Sequence, residues 1–229
     1  MSSSDLHPSH RRRITSGAVG IGLATGAYGL SFGAISVASG LTALQTQTLS
    51  LLMFTGGSQF ALVGVLGAGG GAVAAILTAW LLGARNGMYA LSMAPTLQVT
   101  GLRRLAAAEL TIDESTAMAL AHPDPPDAAR HAFWRTGLSV YVLWNLGTLL
   151  GALGAAAIGD PATLGLDAAI PAAFIALLWP RLVDRTMWAV ALAGAAVALA
   201  LTPVLRPGLP VLAAGLVALI AAMLMGRRP

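Results

Sequence analysis

The stretch ITSGAVGIGLATGAYGLSFGAISVASGLTALQTQTLSLLMFTGGSQFALVGVLGAGGGAVAAILTAWLLGA, residues 14–84, contains no Asp, Glu, Lys, Arg or His over 71 consecutive positions. A helix needs about 20 apolar residues to cross the ~30 Å hydrocarbon core of a bilayer. The stretch is therefore long enough for three membrane crossings, or for two crossings and a re-entrant element.

The rest of the chain repeats this pattern on a smaller scale. Further uncharged runs occupy residues 136–159, 168–180, 186–205 and 207–226, of which the second is short for a full span. Only 10% of all residues are charged and 56% are hydrophobic, whereas an ordinary soluble domain is roughly 25% charged. We predict an all-α, polytopic integral membrane bundle of six or seven transmembrane helices, one of them broken or re-entrant. A cytoplasmic tail, 1–16, would precede a single transmembrane domain, 17–227.

Composition also excludes several classes of protein. The chain has no cysteine, which removes disulfides, thiol nucleophiles and Cys-ligated metal sites. Arginine supplies all 13 basic residues, and apart from Arg85 these lie in short loops and at the termini, as the positive-inside rule expects. No clustered basic face with stacking aromatics is present, so we expect no nucleic-acid partner. The basic start resembles a signal peptide, but no hydrophilic domain follows the apolar stretch, so we expect no cleavage.

The charges also predict an orientation. Arg11–Arg13 place the N-terminus in the cytoplasm, and the 159–168 loop, which carries only acidic residues, would be external. The later basic positions favour the cytoplasmic side and are Arg103, Arg104, Arg130, Arg135, Arg181, Arg185, Arg227 and Arg228. All of them can be cytoplasmic only if residues 14–95 cross the membrane an even number of times. Three plain helices would break the rule, so either one segment is broken or the short tail is external.

The segment Leu49–Gly71 is the best candidate for the break. Its centre reads FTGGSQF at residues 54–60, and its end reads GAGGG at residues 67–71. Adjacent glycines destabilise a helix and expose its backbone. In lipid, irregular backbone is tolerated only where it is buried in protein or lines a wet cavity.

Glycines also form stripes on predicted helices. The first helix carries four on one face, at Gly22, Gly26, Gly29 and Gly33. Small residues at this spacing allow a second helix to approach closely. We interpret the stripe as a packing face, although a face that contacts substrate is the alternative. The pairs Gly83 and Gly87, and Gly147 and Gly151, predict the same close packing in later helices.

Residues 96–131 form the only long polar stretch, which we predict to be a loop outside the membrane. Within it, Thr111-Ile-Asp-Glu114 matches a capping box, in which the Thr and Glu side chains satisfy exposed amides. A short surface helix should follow from about Asp113 to Ala121 and end at the prolines beyond it. Capping is the expected role of Glu114. A proton-coupling role for Asp113 or Glu114 is the alternative.

Polar side chains inside spans are functional candidates because hydrocarbon disfavours them. Gly56, Gly57, Ser58 and Gln59 form the first group, where half-helix ends would offer amides to a carboxylate or carbonyls to an ammonium. Arg85, Asn86 and Tyr89 form the second. Arg85 lies fourteen residues beyond Gly71, about 21 Å along a helix and deeper than a boundary arginine needs. The third group is Asn145 with Thr148. For Gln59 and Asn145, bonding to a neighbouring helix is an equally good reading.

Four of these motifs resemble the AzlC-type branched-chain amino acid permeases. They are FTGGSQF at 54–60, LGARNGMY at 82–89 with Ala94-Pro95, TIDES at 111–115 and WNLGT at 144–148, in the family's order and spacing. The similarity runs from about Gly17 to Trp179. It implies the large subunit of a two-component exporter of valine, leucine, isoleucine and sometimes methionine. Its partner would be a small hydrophobic AzlD-like subunit, and its location a multi-pass one in the bacterial inner membrane.

The sequence therefore predicts a secondary transporter, in residues 17–227, that exports small hydrophobic amino acids by alternating access. We expect no cofactor and no bound metal. A non-transporting membrane scaffold is the first alternative, favoured if the glycine faces serve only to hold a partner. An intramembrane enzyme is the weakest reading, because all four histidines, at His7, His10, His122 and His131, lie outside the predicted spans.

Overall fold

A computed structural model of the chain describes residues 7–158, 175, 178, 179, 182–206 and 208–225. Regular structure in these residues is entirely helical, which confirms the all-α prediction. The helices are α1 (Pro8–Ala38), α2 (Ala43–Leu52), α3 (Gly57–Gly67), α4 (Ala72–Leu97), α5 (Leu102–Glu109), α6 (Asp113–Leu120), α7 (Pro126–Ile158), α8 (Arg185–Leu201) and α9 (Leu209–Met225). The predicted external loop 159–168, most of the predicted span 168–180, Arg181, Arg227 and Arg228 lie outside the described residues.

Two long helices, α1 and α7, pack against each other along most of their length and form the centre of the fold. Thr15 bonds to His131 near their starts, whereas Gly33 meets Thr148 and Ala152 farther along. Sequence position therefore increases in the same direction along both helices. The two helices run parallel, and their N-terminal ends lie on the same side of the molecule.

The glycine stripe on α1 is the surface that meets α7, which confirms its packing role. A methyl group added at Gly33 would collide with the Thr148 carbonyl, and one at Gly29 would lie 2.6 Å from the Trp144 carbonyl. Gly147 and Gly151 on α7 are equally close to the backbone of α1. The two helices thus make direct backbone contact, as small-residue stripes allow.

The pair Gly83 and Gly87 on α4 does not behave in the same way. A methyl group at Gly83 would lie 3.4 Å from the Ser58 hydroxyl, an ordinary contact, and one at Gly87 would meet nothing within 4 Å. The prediction of tight packing at this pair is therefore wrong for the described residues. The spacing is shared with α1, but no described helix covers Gly87.

The predicted break in residues 49–71 is present. Thr42 and Gln45 form a reciprocal capping box that starts α2, and the helix ends at Leu52 after ten residues. α3 begins at Gly57, directly after Gly56, whose φ of 61° favours glycine. At 1.5 Å per residue, neither α2 nor α3 is longer than about 17 Å, so neither half alone spans the ~30 Å core of a bilayer.

The polar stretch 96–131 is largely helical, and its place outside the membrane stays a prediction. It contains α5, α6 and the start of α7, and α6 packs on α7 with Ser115, Thr116 and Ala119 buried. The predicted helix at Asp113 is present, but its capping box is wrong. The Thr111 hydroxyl donates to the Ala107 carbonyl instead, and the Ile112 amide donates to the Ser115 hydroxyl.

Within the described residues, two helices are long and apolar enough to cross a membrane, at Pro8–Ala38 and Pro126–Ala157. Three further apolar helices are shorter and occupy Gly57–Gly67, Arg185–Leu201 and Leu209–Leu224. A polytopic bundle is consistent with this set. The figure of six or seven crossings remains a prediction.

Candidate functional site

A cavity of about 150 Å³ opens beside the break between α2 and α3. Its walls come from the break itself and from five helices. The lining residues are Thr25, Tyr28, Phe54, Thr55, Gly56, Gly57, Phe60, Arg85, Ile112, Asp113, Glu114, Val140 and Trp144. An engineered cavity of ~150 Å³ accommodates benzene, so this one has room for a small apolar group.

The cavity lies at mid-height of the two long helices. Thr25 and Tyr28 are near the middle of α1, and Val140 and Trp144 are near the middle of α7. The helix break is therefore placed where a transmembrane bundle would be deepest in the bilayer. Broken helices at mid-membrane depth are the common location of substrate sites in secondary transporters.

Arg85 forms the charged wall of the cavity together with Asp113. Its Nη1 lies 2.9 Å from the Asp113 carboxylate, and the two side chains are 33% and 26% exposed. A charged side chain this deep in a span normally faces a cavity or a charged partner, and Arg85 has both. Its Nε is buried and has no acceptor within the described part of the chain. One hydrogen-bond donor of the guanidinium is thus left over.

The N-terminal end of α3 forms a second polar wall. Gly56 and Gly57 line the cavity, and the first hydrogen bonds of α3 begin with the amide of Gln59. The amides at the start of a helix have no intrahelical acceptor and carry the positive end of the helix dipole. This wall and the guanidinium of Arg85 both favour a negatively charged group.

The remaining wall is apolar and largely aromatic. The rings of Phe32, Phe60 and Trp144 contact one another with centroids 5.4 to 6.2 Å apart, which joins α1, α3 and α7. Two of the three, Phe60 and Trp144, line the cavity. The indole Nε1 of Trp144 is buried and has no acceptor among the described residues. It is a second unused donor on a residue of this wall.

Five of the predicted site residues line the cavity. Gly56, Gly57 and Arg85 line the cavity, and so do the predicted coupling residues Asp113 and Glu114. The structure therefore brings together residues that are far apart in the sequence. Their roles in binding and coupling stay predictions.

Gln59 is fully buried but is not part of the cavity wall. Its Oε1 accepts a hydrogen bond from the Gly56 amide at 3.2 Å, and its Nε2 donates to the Leu49 carbonyl at 3.3 Å. It thus bridges the end of α2 and the start of α3. This geometry corresponds to the structural reading of Gln59.

Ser58, Asn86 and Tyr89 are also outside the cavity lining. The Ser58 hydroxyl is buried at the contact between α3 and α4, where it faces Gly83. Asn86 lines a neighbouring open cleft on the other side of the break. Tyr89 is partly buried one turn farther along α4 than Arg85. These positions provide no direct contact with a molecule in the cavity.

Asn145 serves helix packing. Its Oδ1 accepts a hydrogen bond from Gln47 at 3.3 Å, and its Nδ2 donates to the Tyr141 carbonyl at 2.8 Å. Thr148, on the same face, accepts from the Ser50 hydroxyl. The polar face of α7 is therefore paired with α2, as the packing interpretation predicted.

Several site features were missed by sequence reasoning. Thr25, Tyr28, Ile112 and Val140 complete the cavity, although nothing in their local sequence singles them out. Glu109 was also overlooked. Its carboxylate accepts a hydrogen bond from the Phe54 amide at 3.4 Å, and burial raises the pKa of Glu109 above its ordinary value. Nothing in the sequence around Glu109, an acidic residue at the end of a short helix, marks it as a site residue.

Among the described residues, no three His, Asp or Glu side chains are placed to hold a metal ion.

The sequence of the chain matches a known protein family. The family model described as "AzlC protein" matches residues 20–158, more than half of the chain. No curated protein and no solved structure matches significantly. The matched range includes every residue that lines the cavity. The chain therefore belongs to the AzlC family, a membrane transport family associated with branched-chain amino acids.

Proposed function

We propose that this protein is a secondary transporter that exports branched-chain or other small hydrophobic amino acids. It would act in the bacterial inner membrane as a multi-pass protein, together with a small AzlD-like subunit. One observation carries the proposal. A cavity at a helix break combines the Arg85–Asp113 pair with an apolar aromatic wall. This combination matches the three parts of an amino acid, which are a carboxylate, an ammonium and an apolar side chain.

The carboxylate would bind on the side of Arg85 and the start of α3. Arg85 Nε and Trp144 Nε1 are buried donors without acceptors in the described chain, and a buried unsatisfied donor costs about 1–3 kcal/mol. A bound carboxylate would supply the missing acceptors. The positive end of the α3 dipole, at Gly56 and Gly57, adds to the attraction.

The ammonium group would bind on the side of Asp113 and Glu114. Both residues belong to α6, and both line the cavity. Asp113 already pairs with Arg85, so a zwitterion would exchange one ion pair for two. A role for Asp113 and Glu114 in coupling stays a proposal that rests on their place in the cavity wall.

The side chain of the substrate would contact Phe54, Phe60, Val140 and Ile112. This wall offers apolar area and no charge, and the volume of about 150 Å³ limits the size of the group. Extra methylene groups in such a pocket change affinity by about 1–3 kcal/mol each. We therefore expect valine, leucine and isoleucine to be preferred over alanine and over charged amino acids.

The parallel arrangement of α1 and α7 supports the predicted orientation. It places Arg11 and Arg135 at the same end, where both line one cleft. If both helices span the membrane in the same direction, the segments between them must cross an odd number of times. A single crossing by α4, with α2 and α3 as a re-entrant pair, satisfies this condition. Residues 14–95 then cross an even number of times, and the basic regions share the cytoplasmic side.

The glycine faces do not favour the scaffold alternative. The stripe on α1 is occupied by α7 of the same chain, so it is not available to hold a partner. Gly87 has open space around it and lies on a face of α4 where Trp80 and Leu91 are 74% and 77% exposed. Small residues on an apolar face allow a second helix to approach. We propose this face as the contact for the AzlD-like subunit.

The proposal is tested by valine efflux from loaded membrane vesicles that contain the protein and its partner subunit. We expect faster efflux than from control vesicles, and a loss of about tenfold or more for Arg85→Ala, since a charged hydrogen bond is worth about 1.5–3 kcal/mol. Arg103→Ala is the matched control, because Arg103 is an exposed arginine outside the cavity. Efflux at the control rate, with Arg85→Ala also silent, would refute the assignment.

A competition experiment tests the orientation of the substrate. Valinamide retains the ammonium and the isopropyl group of valine but lacks the carboxylate. It should compete poorly with valine in the wild-type protein. In a second test, Trp144→Phe removes the indole donor and should raise KM for valine with little change in kcat. Equal competition by valine and valinamide would contradict the placement of the carboxylate.

A further inference from the structure

A second, larger cleft lies at the N-terminal ends of the two long helices. It has a volume of about 670 Å³ and is formed by α1, by α5 with the residue that follows it, and by α7. Its lining residues are Arg11, Ala106, Leu110, Asp127, Arg130, His131, Trp134, Arg135 and Leu138. Three arginines and a histidine thus face one aspartate. The cleft is distinct from the cavity at the helix break and shares no lining residue with it.

Arg130 is held in place by hydrogen bonds within the chain. Its Nε donates to the Thr96 carbonyl at 2.7 Å, its Nη1 contacts Asp127 at 3.3 Å, and its Nη2 donates to the Gln98 side chain at 3.1 Å. These bonds tie the C-terminal end of α4 to α7. They also pair the single acidic side chain of the cleft, Asp127, with Arg130.

Arg11 and Arg135 are the cations that remain. Both guanidinium groups are exposed, and neither makes an ion pair or a side-chain hydrogen bond in the chain that the structure describes. Both also interact electrostatically with the ring of His131, which bonds to Thr15 at 3.1 Å on the inner side of the cleft. Two guanidinium groups without acidic partners that line one cleft favour an anion with several oxygens, which can accept hydrogen bonds from both.

The rest of the cleft is apolar. Leu138 is 52% exposed, and Leu110, Ala106 and Trp134 continue the apolar surface beside the arginines. Tryptophan is enriched where a membrane meets water, because its ring is apolar and its N–H is polar. α1 has 31 residues, about 46 Å of helix, so its first turns extend beyond a ~30 Å hydrocarbon core. Arg11, on the first turn, lies at headgroup depth in that arrangement.

We propose that this cleft binds the headgroup of an anionic phospholipid from the cytoplasmic leaflet. The phosphate contacts Arg11 and Arg135, and the adjoining acyl chain lies along Trp134 and Leu138. The apolar wall favours a phospholipid over free phosphate, because free phosphate has no apolar part that could pack against it. Basic clefts between helices at the cytoplasmic boundary are a recurrent type of lipid site. The inference rests on the membrane location proposed above and is independent of the transported substrate.

Binding of phosphatidylglycerol to the full-length protein in detergent, followed by native mass spectrometry, tests the proposal. Phosphatidylglycerol should bind more tightly than phosphatidylcholine. The double variant Arg11→Ala, Arg135→Ala should weaken this binding by about 25-fold, since each arginine near an anionic lipid contributes roughly a factor of five. Inorganic phosphate at the same concentration should not displace the lipid.

The matched control is the double variant Arg103→Ala, Arg104→Ala. It removes the same charge from α5, from exposed residues that do not line the cleft. It should retain wild-type affinity for phosphatidylglycerol, and both double variants should keep the wild-type unfolding temperature without lipid. Equal loss in the two double variants, equal binding of the two lipids, or displacement by free phosphate would each overturn the proposal. These results do not depend on transport, so they separate this proposal from the exporter assignment.

Discussion

The contact between α1 and α7 and the broken segment between α2 and α3 lie side by side but are built in opposite ways. The first is held by glycines that bring two backbones together, with no room for even one added methyl group at Gly29 or Gly33. The second is held by hydrogen bonds around Gln59 and by the ring contacts of Phe60, and it opens onto a cavity. A contact between two backbones has essentially one arrangement. Side-chain contacts beside a cavity leave more than one arrangement open. The difference indicates a fixed frame beside an adjustable site.

The largest expected effect is at the rigid contact. Gly33→Ala would force its new methyl group against the backbone at Thr148 and Ala152. Because backbone cannot rotate away as a side chain can, we expect a loss of about 3 kcal/mol in the free energy of unfolding. Thermal unfolding in detergent, with size-exclusion chromatography to detect aggregation, measures it.

The control for this prediction lies on the same helix. Gly20 has nothing within 4 Å of an added methyl group, so Gly20→Ala should be neutral, or stabilising by up to about 1 kcal/mol through helix propensity. Equal unfolding temperatures for the two variants would show that α1 and α7 are not in backbone contact.

At the adjustable site, Gln59→Leu removes the bridge between the two half-helices. The Gly56 amide and the Leu49 carbonyl would lose their partners, and we expect a cost of about 2 kcal/mol. We also expect slower valine efflux, because the break would no longer hold the start of α3 at the cavity. Unfolding temperature and vesicle efflux are the two measurements.

Gln45 offers a matched control. It occupies the same position in the first turn of α2, and its Oε1 accepts from the Thr42 amide at 2.8 Å, but it is exposed. Water can replace that bond, so Gln45→Leu should cost no more than about 1 kcal/mol. A larger cost at Gln45 than at Gln59 would contradict the assignment of Gln59 as the bridge.

These two regions also differ in how far the sequence could predict them. The stripe on α1 and the break at the paired glycines follow from local spacing, so both were predicted correctly. The pairing of Arg85 with Asp113 joins residues 28 positions apart, and it depends on how α4 and α6 pack. No local pattern reports that packing. Each residue could therefore be identified as a candidate from the sequence, but the ion pair between them could not.

The failed predictions have related causes. The charge of residues 96–131 indicates exposed surface, but α6 buries its small polar residues against α7. Thr111 matched a capping box by spacing, but its hydroxyl donates to Ala107 one turn earlier. Gly83 and Gly87 have the spacing of a packing face but no described helix opposite Gly87. Spacing shows what a residue can do, and the tertiary neighbour decides whether it does.

A smaller effect is expected at Glu109, which contacts the broken segment from α5, outside the candidate spans. Because burial raises the pKa of Glu109 in the fold, the folded state binds its proton more tightly than the unfolded state does. The contribution of this group to stability is then complete below the unfolded pKa and is lost as pH rises through the folded one. Glu109→Gln cannot ionise, and its amide oxygen can still accept from Phe54.

Thermal unfolding of both proteins between pH 4 and pH 8 tests this sign. The variant should be at least as stable as the wild type at neutral pH, and the difference should shrink as pH falls toward the ordinary pKa of a glutamic acid. A wild-type protein that gains stability relative to Glu109→Gln as pH rises would contradict a buried, proton-binding Glu109.

The smallest expected effect is at Gly87, and it separates the rigid contact inside the chain from a contact with a partner. Gly87→Ala in the isolated chain places a methyl group in open space, so it should stabilise α4 by about 1 kcal/mol or less. Gly83→Ala, one turn earlier, should be close to neutral because the Ser58 hydroxyl is at ordinary contact distance. With the AzlD-like subunit present, position 87 should be the more sensitive of the two. Gly87→Leu should abolish co-purification of the subunit, whereas Gly83→Ala should retain it. If Gly87→Leu still co-purifies the subunit, the exposed face of α4 is not the subunit interface.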